Sequence, residues 1–458
     1  MTKKFFIHTF GCQMNKLDSE LVAASLVQAG FTPAATEEEA NYLLFNTCSV
    51  RQHAEDRVYS RIGTLKKRKK HQPDLIIGIL GCMAQKEKEG ILRRFPYVDL
   101  VIGTRELLRL SELLKEIDLR RANHSLSPRK KQVLAVSDSL PFHFTRQVKR
   151  RPSKYEAFVS VMRGCDNFCS YCVVPFTRGP VESRGSQDVV DEVQALVDDG
   201  CLEVTLLGQS ITSYKSPTGE NLAALLGLIA QNTQVKRLRF ITSHPRDLKE
   251  DVLHKMAEFD ALCEYLHLPA QSGSDPMLKA MNRGYTQREY LHKIELARKI
   301  VPGIAIASDF IVGFPGETEA DFQATASLLK QVGFQNSFIF KYSPRPSTAA
   351  SRLKDDVPEA VKKKRHQILL DIQAGVSLVQ NRSFIDKEVA IPVQGPSKNN
   401  PSFFTGRTKT NQIVLFPADE STIGKFVKVI IEDVTALTLK GTRVSPARPS
   451  LIGQEKEV

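Results

Sequence analysis

Short apolar runs alternate with helical segments through most of the chain, and that alternation leaves room for little besides α/β folds. Near the start the runs are FFIHTF (5–10), YLLFNT (42–47), LIIGILG (75–81) and LVIG (100–103). Between them lie segments such as LDSELVAASLVQAG, which closes on Gly30. Repeated strand and helix units of this kind predict a doubly wound parallel sheet over residues 1–118. A second block repeats the alternation, with strands expected near 158–163, 204–208, 238–242, 265–268, 305–313 and 336–342. Helices such as 187–199, 286–299 and 318–332 separate them, so six units predict a complete or partial (β/α) barrel within a core at 151–382. After a long polar helix near 356–381 the pattern turns to EVAIPVQG, FFTGRTKT, QIVLF, FVKVIIEDV and ALTLKGTRV. Regular short strands broken by Gly, Pro, Asn and Ser predict a small all-β, OB-like barrel at 383–448.

Three such domains suit 458 residues, a length that exceeds one ordinary core. Residues 119–150 look like a basic linker, with Arg129, Lys130, Lys131, Arg146, Lys149 and Arg150 among Ser and Pro, and Arg151 just beyond. The balance of 64 Lys and Arg against 51 Asp and Glu leaves a net charge of +13, which favours a polyanionic partner, most simply nucleic acid. Candidate contacts are LKKRKK at 65–70, the linker arginines, and Arg407, Lys409, Lys425 and Lys428 of the terminal module. An apolar fraction of 41% with 25% charged residues is that of a soluble globular chain, and no apolar run approaches the roughly 18 residues that cross a bilayer. The opening MTKKFFIHTFGCQ lacks the apolar core of a signal peptide, so a cytoplasmic location without membrane attachment is expected.

In that compartment the eight cysteines are more often metal ligands or catalytic groups than disulfides. Cys165, Cys169 and Cys172 form C-x3-C-x2-C after the first barrel strand, in a stretch with no fourth cysteine and no histidine. A structural zinc site would need that fourth ligand. A cubic iron-sulfur cluster held by three thiolates would instead keep one iron open to a small molecule. Cys12, Cys48 and Cys82 each follow one of the first three strands, and strand ends in an open parallel sheet share one crevice, so these three can converge as a second set. Isolated cysteines are also common core residues, the reading given to Cys201 and Cys263.

The motifs together resemble one family. VMRGCDNFCSYCVVPFTRG with HTFGCQMN, NTCSVR, LGCMAQ, TSHP, LHLPAQSGS, RGYT, DFIVGFPGET and YSPRP is similar to the radical S-adenosylmethionine methylthiotransferases. The likeness is to the branch that converts N6-isopentenyladenosine in tRNA, just 3′ of the anticodon, to its 2-methylthio form. It covers nearly the whole chain and implies a radical-SAM core and a terminal RNA-binding barrel of the type called TRAM. By that resemblance two 4Fe-4S clusters are expected, one on Cys165, Cys169 and Cys172 and an auxiliary one on Cys12, Cys48 and Cys82. One S-adenosylmethionine would donate a methyl group and a second the 5′-deoxyadenosyl radical. The implied target is an adenine C2–H, a bond that no side-chain base ionises near neutral pH. Implied partners are tRNA, an electron donor such as flavodoxin or ferredoxin, and the iron-sulfur assembly machinery, with the enzyme a monomer. The alternatives are the same chemistry on a threonylcarbamoyl adenosine or a ribosomal-protein aspartate, a zinc-containing RNA-binding module, and an iron-sulfur redox sensor.

Candidate contacts to the cofactor are Gly208 and Gln209 after the second barrel strand, Thr242, Ser243 and His244 after the third, Asp309 in the fifth, and the turn Gly313 to Glu317. Arg178 and Arg345 are candidates to pair with a phosphate or the cofactor carboxylate. Ser210, Ala270 and Ser347 stand where the branch usually has Asn, Val and Gly, which bears on the substrate pocket rather than on the cluster ligands.

Overall fold

The computed structural model describes residues 3–49, 52–123, 125, 127–137 and 151–444. Arg146, Lys149 and Arg150 of the expected linker, and Val50 and Arg51 of NTCSVR, lie outside them. By internal contacts the chain divides into Met1–Ile372 and Gln373–Val458.

In the first unit the elements run β1 (Lys4–Phe10), α1 (Gln13–Gln28), β2 (Thr32–Pro33), β3 (Tyr42–Thr47), α2 (Gln52–His71), β4 (Ile76–Gly81), α3 (Cys82–Glu87), α4 (Glu89–Arg94), β5 (Leu100–Ile102), α5 (Leu110–Ala122) and β6 (Val133–Ala135). All six strands are parallel, in the order β2-β1-β3-β4-β5-β6. That order is doubly wound, with its switch point between β1 and β3. Strand periodicity explains the two-sided core. Tyr42, Leu44, Ile76 and Leu80 pack with Val22 and Leu26 of α1 and Leu113, Leu114 and Ile117 of α5. Leu43, Phe45, Ile77 and Ile79 face the opposite way, onto Val58, Ile62 and Leu65 of α2 and Ile91 of α4. The stretch expected as linker supplies a sheet strand, β6, whose Val133 is buried beside Leu100.

The second block holds β7 (Glu156–Ser160), β8 (Met162–Arg163), α6 (Val174–Arg178), β9 (Glu182–Ser183), α7 (Ser186–Asp198), β10 (Glu203–Leu207), α8 (Leu222–Asn232), β11 (Arg237–Ile241), α9 (Glu250–Glu258) and β12 (Tyr265–His267). It continues through α10 (Asp275–Ala280), α11 (Gln287–Ile300), β13 (Ala305–Val312), α12 (Glu319–Val332) and β14 (Asn336–Lys341) to α13 (Glu359–Arg382). Parallel sheets β7-β10-β11 and β12-β13-β14 abut where Leu238 bridges Leu262 and Ser243 N–H donates to the His267 carbonyl. The barrel is therefore partial, with β7 and β14 as outer strands.

Helix α1 is buried on two sides. Val22 and Leu26 meet their own sheet, while Met14 and Leu17 pack on Leu207, Phe158 and Ile241 at the strand ends of the barrel. Full burial of a Leu side chain contributes about 1.5–3 kcal/mol. This helix is the structural joint between the sheet and the barrel.

The second unit carries β15 (Glu388–Pro396), β16 (Phe403–Arg407), β17 (Ile413–Pro417), β18 (Phe426–Val434) and β19 (Thr438–Arg443), closed in the order β15-β16-β17-β19-β18. Ile391, Val393, Phe404, Val414, Phe416, Val429, Ile431 and Leu439 fill its interior at alternating strand positions.

Candidate active site

Sheet register brings the first three thiols together. Phe10 pairs with Thr47, and Thr47 with Gly81. Cys12, Cys48 and Cys82 come one or two residues beyond that shared row, at the carboxyl edge and across the switch point. Gly11 is needed here because a Cβ on it would lie 2.6 Å from both Cys48 Cβ and Asn15 Oδ1. Asn15 and Asn46 fasten α1 to β3: Asn15 Nδ2 donates to Asn46 Oδ1 at 3.1 Å, and Asn46 Nδ2 to the Asn15 carbonyl at 3.0 Å. A hydrogen bond with Cys48, opposed by burial and helped by the Arg178 charge, lowers the Cys12 thiol to about 6. Burial raises the Cys82 thiol, against the pull of Arg178.

The second set occupies the loop from β8 to α6. Gly164 has φ of +79°, and a Cβ there would fall 1.8 Å from the Pro180 carbonyl oxygen. Its N–H donates to Gln209 Oε1 at 2.7 Å, and Cys165 N–H to the Gly179 carbonyl at 3.2 Å. Ser170 N–H reaches the Met281 carbonyl at 3.0 Å. The buried Arg283 donates to Cys169 Sγ at 3.2 Å, to the Pro269 carbonyl at 2.8 Å and to Tyr285 Oη at 3.0 Å. Burial first, and then the neighbouring Cys169, pushes the Cys172 thiol up to about 12.

Each set thus receives one buried guanidinium. Arg178, at the end of α6, donates from Nε to Cys82 Sγ at 3.2 Å and from Nη2 to Asp18 at 2.7 Å. Arg163 Nη2 donates to the other oxygen of Asp18 at 2.9 Å. Burial opposes the charge on Arg178, but Asp18 and Cys82 hold its pKa above the usual arginine value. A second buried link ties Glu55 of α2 to Arg345 at 3.1 Å and to Lys86 at 2.7 Å.

The other expected site residues take varied positions. Gly208 follows β10, where a Cβ would press on Met162 Cγ at 2.7 Å. Gln209 supports the cysteine loop through Gly164. Ser243 and His244 follow β11, and their Oγ and Nε2 are buried with no hydrogen-bond partner among the described residues. His244 Nδ1 accepts the Arg246 N–H at 3.3 Å, and burial, reinforced by Arg283, lowers its pKa to about 3, so the ring is neutral. Asp309 lies 3.4 Å from His267. Arg178 sits at the first thiol set with its charge met by Asp18, Arg345 pairs with Glu55, and Glu317 accepts from Gly313 N–H and Arg365, each at 2.7 Å. Cys201 and Cys263 are buried core residues. Sequence reasoning missed Asp18 and Glu55, and saw Asn15, Asn46, Arg163 and Arg283 only as letters inside motifs. Of these Arg163, two residues before Cys165, and Asn46, two before Cys48, carried a positional signal.

None of the eight cysteines is in a disulfide. Among the described residues no three His, Cys, Asp or Glu side chains close around one point tightly enough for a single metal ion. An iron-sulfur cube has its irons at separate corners, so each thiolate meets its own iron. Beside the first set Thr47 Oγ1, Ser49 Oγ and Arg178 Nη1 are buried with no hydrogen-bond partner among the described residues, and Arg163 and Arg178 both donate to Asp18. Thiol donors, buried polar groups without a hydrogen-bond partner among the described residues, and nearby guanidiniums fit an anionic cluster with three thiolate ligands.

Comparison with known proteins follows the same division. The uncharacterized protein family UPF0004 matches residues 4–103, the Radical SAM superfamily 159–329 and the TRAM domain 382–444. The chain is 42% identical over 449 residues to the tRNA-2-methylthio-N(6)-dimethylallyladenosine synthase of Moorella thermoacetica, covering 96% of this chain and 98% of that one. Against the synthase of Carboxydothermus hydrogenoformans it is 43% identical, covering 96% and 99%. Among solved structures, the radical S-adenosylmethionine methyltransferase TsrM of Kitasatospora setae, with cobalamin and a 4Fe-4S cluster bound, aligns with a TM-score of 0.53 at 15% identity, covering 77% of each chain. That likeness concerns the fold.

Proposed function

The chain belongs to the tRNA-2-methylthio-N(6)-dimethylallyladenosine synthase family, and we propose that it installs a methylthio group at C2 of N6-isopentenyladenosine, just 3′ of the anticodon in tRNA. The observation that carries this reading is the pair of three-thiol sets, each with its own buried guanidinium, joined through α1. Cys165, Cys169 and Cys172 would hold a 4Fe-4S cluster that binds S-adenosylmethionine, and Cys12, Cys48 and Cys82 an auxiliary cluster. Together these groups would supply the radical and the sulfur chemistry.

The chain supplies placement and shielding. Gln209 and Gly164 set the cysteine loop, while Arg283 and Arg178 neutralise thiolate charge that burial would otherwise penalise. Ser243 Oγ and the Nε2–H of neutral His244, beyond the carboxyl end of β11, are buried polar groups with no hydrogen-bond partner among the described residues. Near the cysteine loop Arg246 donates to Asn167, and with Lys249, Arg288 and Lys293 it lines a cleft of about 1040 Å³ that Glu250, Glu289 and Glu295 also line. Residues 1–118 would deliver sulfur, 151–382 generate the radical, and 383–448 grip RNA.

No described helix is long and apolar enough to cross a membrane. The reading places the enzyme in the cytoplasm as a monomer, reduced by a flavodoxin or ferredoxin and loaded by the cluster assembly machinery.

The test is anaerobic incubation of the reconstituted protein with dithionite, S-adenosylmethionine and either isopentenylated or unmodified tRNA, read by nucleoside mass spectrometry. A 2-methylthio product is expected on the isopentenylated tRNA alone. Cys12→Ala should abolish that product and halve the iron bound, from about eight to about four per chain, while S-adenosylmethionine is still cleaved. Cys169→Ala should abolish product and cleavage together. Methylthio product from Cys12→Ala would sink the auxiliary-cluster assignment.

A further inference from the structure

Asp18 lies on α1, six residues beyond Cys12, and its carboxylate is wholly buried. Its two oxygens are held by Arg163 at 2.9 Å and Arg178 at 2.7 Å. Those arginines bracket the loop of the other thiol set: Arg163 stands two residues before Cys165, and Arg178 six after Cys172. One carboxylate of the sheet domain thus grips both ends of the cysteine loop of the barrel. Arg178 then extends the contact to Cys82 at 3.2 Å. The same helix packs Met14 and Leu17 against Leu207, beside the Gly208-Gln209 turn that supports Gly164.

A buried ion pair by itself is weak evidence of function, because desolvation can cost as much as the attraction returns. This molecule contains an internal comparison. Glu203 on β10 is also buried and also meets two arginines, Arg239 at 2.7 Å and Arg237 at 3.9 Å, but all three residues lie on adjacent strands of one sheet. Asp18 instead joins residues 145 and 160 positions away, each flanking a thiol set. Ordinary packing of α1 needs neither arm.

We infer that Asp18 is a positioning residue: its clasp on Arg163 and Arg178 holds the Cys165 to Cys172 loop in fixed register with Cys12, Cys48 and Cys82. This inference rests on the two-site reading above. Transfer between two sites is sensitive to placement, and a misplacement of about 1 Å can cost on the order of 100-fold in rate. The S-adenosylmethionine cleavage step needs only the barrel set. Loosening the clasp should therefore uncouple radical formation from methylthiolation rather than stop both.

The experiment compares wild type with Asp18→Asn, which keeps the side-chain size and removes the charge, and with Glu203→Gln as the buried-pair control. All are prepared as the loaded enzyme, and 5′-deoxyadenosine and methylthio product are measured in the same reaction on isopentenylated tRNA. Asp18→Asn is expected to lower product about 10- to 100-fold while 5′-deoxyadenosine stays near the wild-type level. Amide hydrogen exchange over residues 164–178 should also quicken in this variant. Glu203→Gln should lower thermal stability with an unchanged ratio of 5′-deoxyadenosine to product. If Asp18→Asn does not accumulate as folded, iron-loaded protein, Arg163→Lys carries the test. It keeps the charge but loses the planar guanidinium that reaches Asp18, and the same uncoupling is expected. A wild-type ratio in the folded variant overturns the inference, whatever the exchange shows. Product from Cys12→Ala would overturn the two-site reading itself, and the inference with it, without reference to Asp18.

Discussion

Ser347 has a backbone φ of +71° and is exposed. A side chain in that left-handed region costs roughly 1–2 kcal/mol. Substitution by glycine returns that strain but adds about 0.4–1 kcal/mol of unfolded-state entropy. Ser347→Gly should therefore stabilise the protein by about 0.5–1 kcal/mol, read as a higher urea midpoint at unchanged slope. A lower midpoint would mean that the Ser347 side chain makes a compensating contact. The neighbouring Arg345, tied to Glu55, should keep its place. Single residues of this kind were legible in the sequence when their meaning is local. The spacing of Cys165, Cys169 and Cys172 is one example, and the strand-end positions of Cys12, Cys48 and Cys82 are another. Asp18 was not legible, because in LDSELV it reads as an ordinary polar helix position. Its partners are 145 and 160 residues distant, and no local pattern encodes such a pairing.

At the level of elements, strand β18 shows what alternation can and cannot tell. Val429 and Ile431 point into the small barrel, as a period of two requires. The opposite face presents Phe426, Lys428 and Ile430, all exposed, with Phe426 at 43%. An exposed aromatic beside cations is the composition of a base-stacking platform, where each stacked base contributes about 1–3 kcal/mol. Phe426→Ala is expected to weaken tRNA binding about tenfold at every salt concentration, leaving the salt slope as it was. Lys425→Ala should instead reduce that slope by about one, the signature of a lost phosphate contact. Fluorescence anisotropy across a salt series separates the two effects, and an unchanged affinity for Phe426→Ala would remove this face from the RNA interface. Lys428 is less informative, since it already pairs with Glu388 at the surface. Long apolar runs made the main strands and the three domain folds readable. The two-residue strands β2 and β9 and the three-residue β6, which lies in a stretch read as linker, escaped notice, and β8 was read as the end of β7. Helix α1 was read as a helix but not as a joint, since burial on two sides blurs the single apolar stripe that a surface helix shows.

Across the whole molecule, the charge distribution decides what each unit contributes to tRNA binding. Residues 383–458 hold ten Lys and Arg against eight Asp and Glu, so they carry only two of the thirteen net positive charges. The remaining eleven lie in residues 1–382. Long-range attraction to a polyanion follows net charge, whereas selective grip follows stacking and shape. The two units also have separate cores, Ile391 to Leu439 in the small barrel and the two faces of the sheet in the first unit. A chain ending at Arg382 is thus expected to fold, to load iron and to cleave S-adenosylmethionine under dithionite. Its tRNA affinity should fall about 10- to 100-fold through lost stacking and barrel contacts, yet most of the dependence of log K on log salt should survive. Methylthio product would then recover partly when tRNA is raised or salt lowered. The decisive measurement is the salt slope of the full chain against residues 1–382. A slope near zero for the shorter chain would place the phosphate contacts in the terminal barrel despite its small net charge, and would show that the basic surface of the first unit does not meet the tRNA.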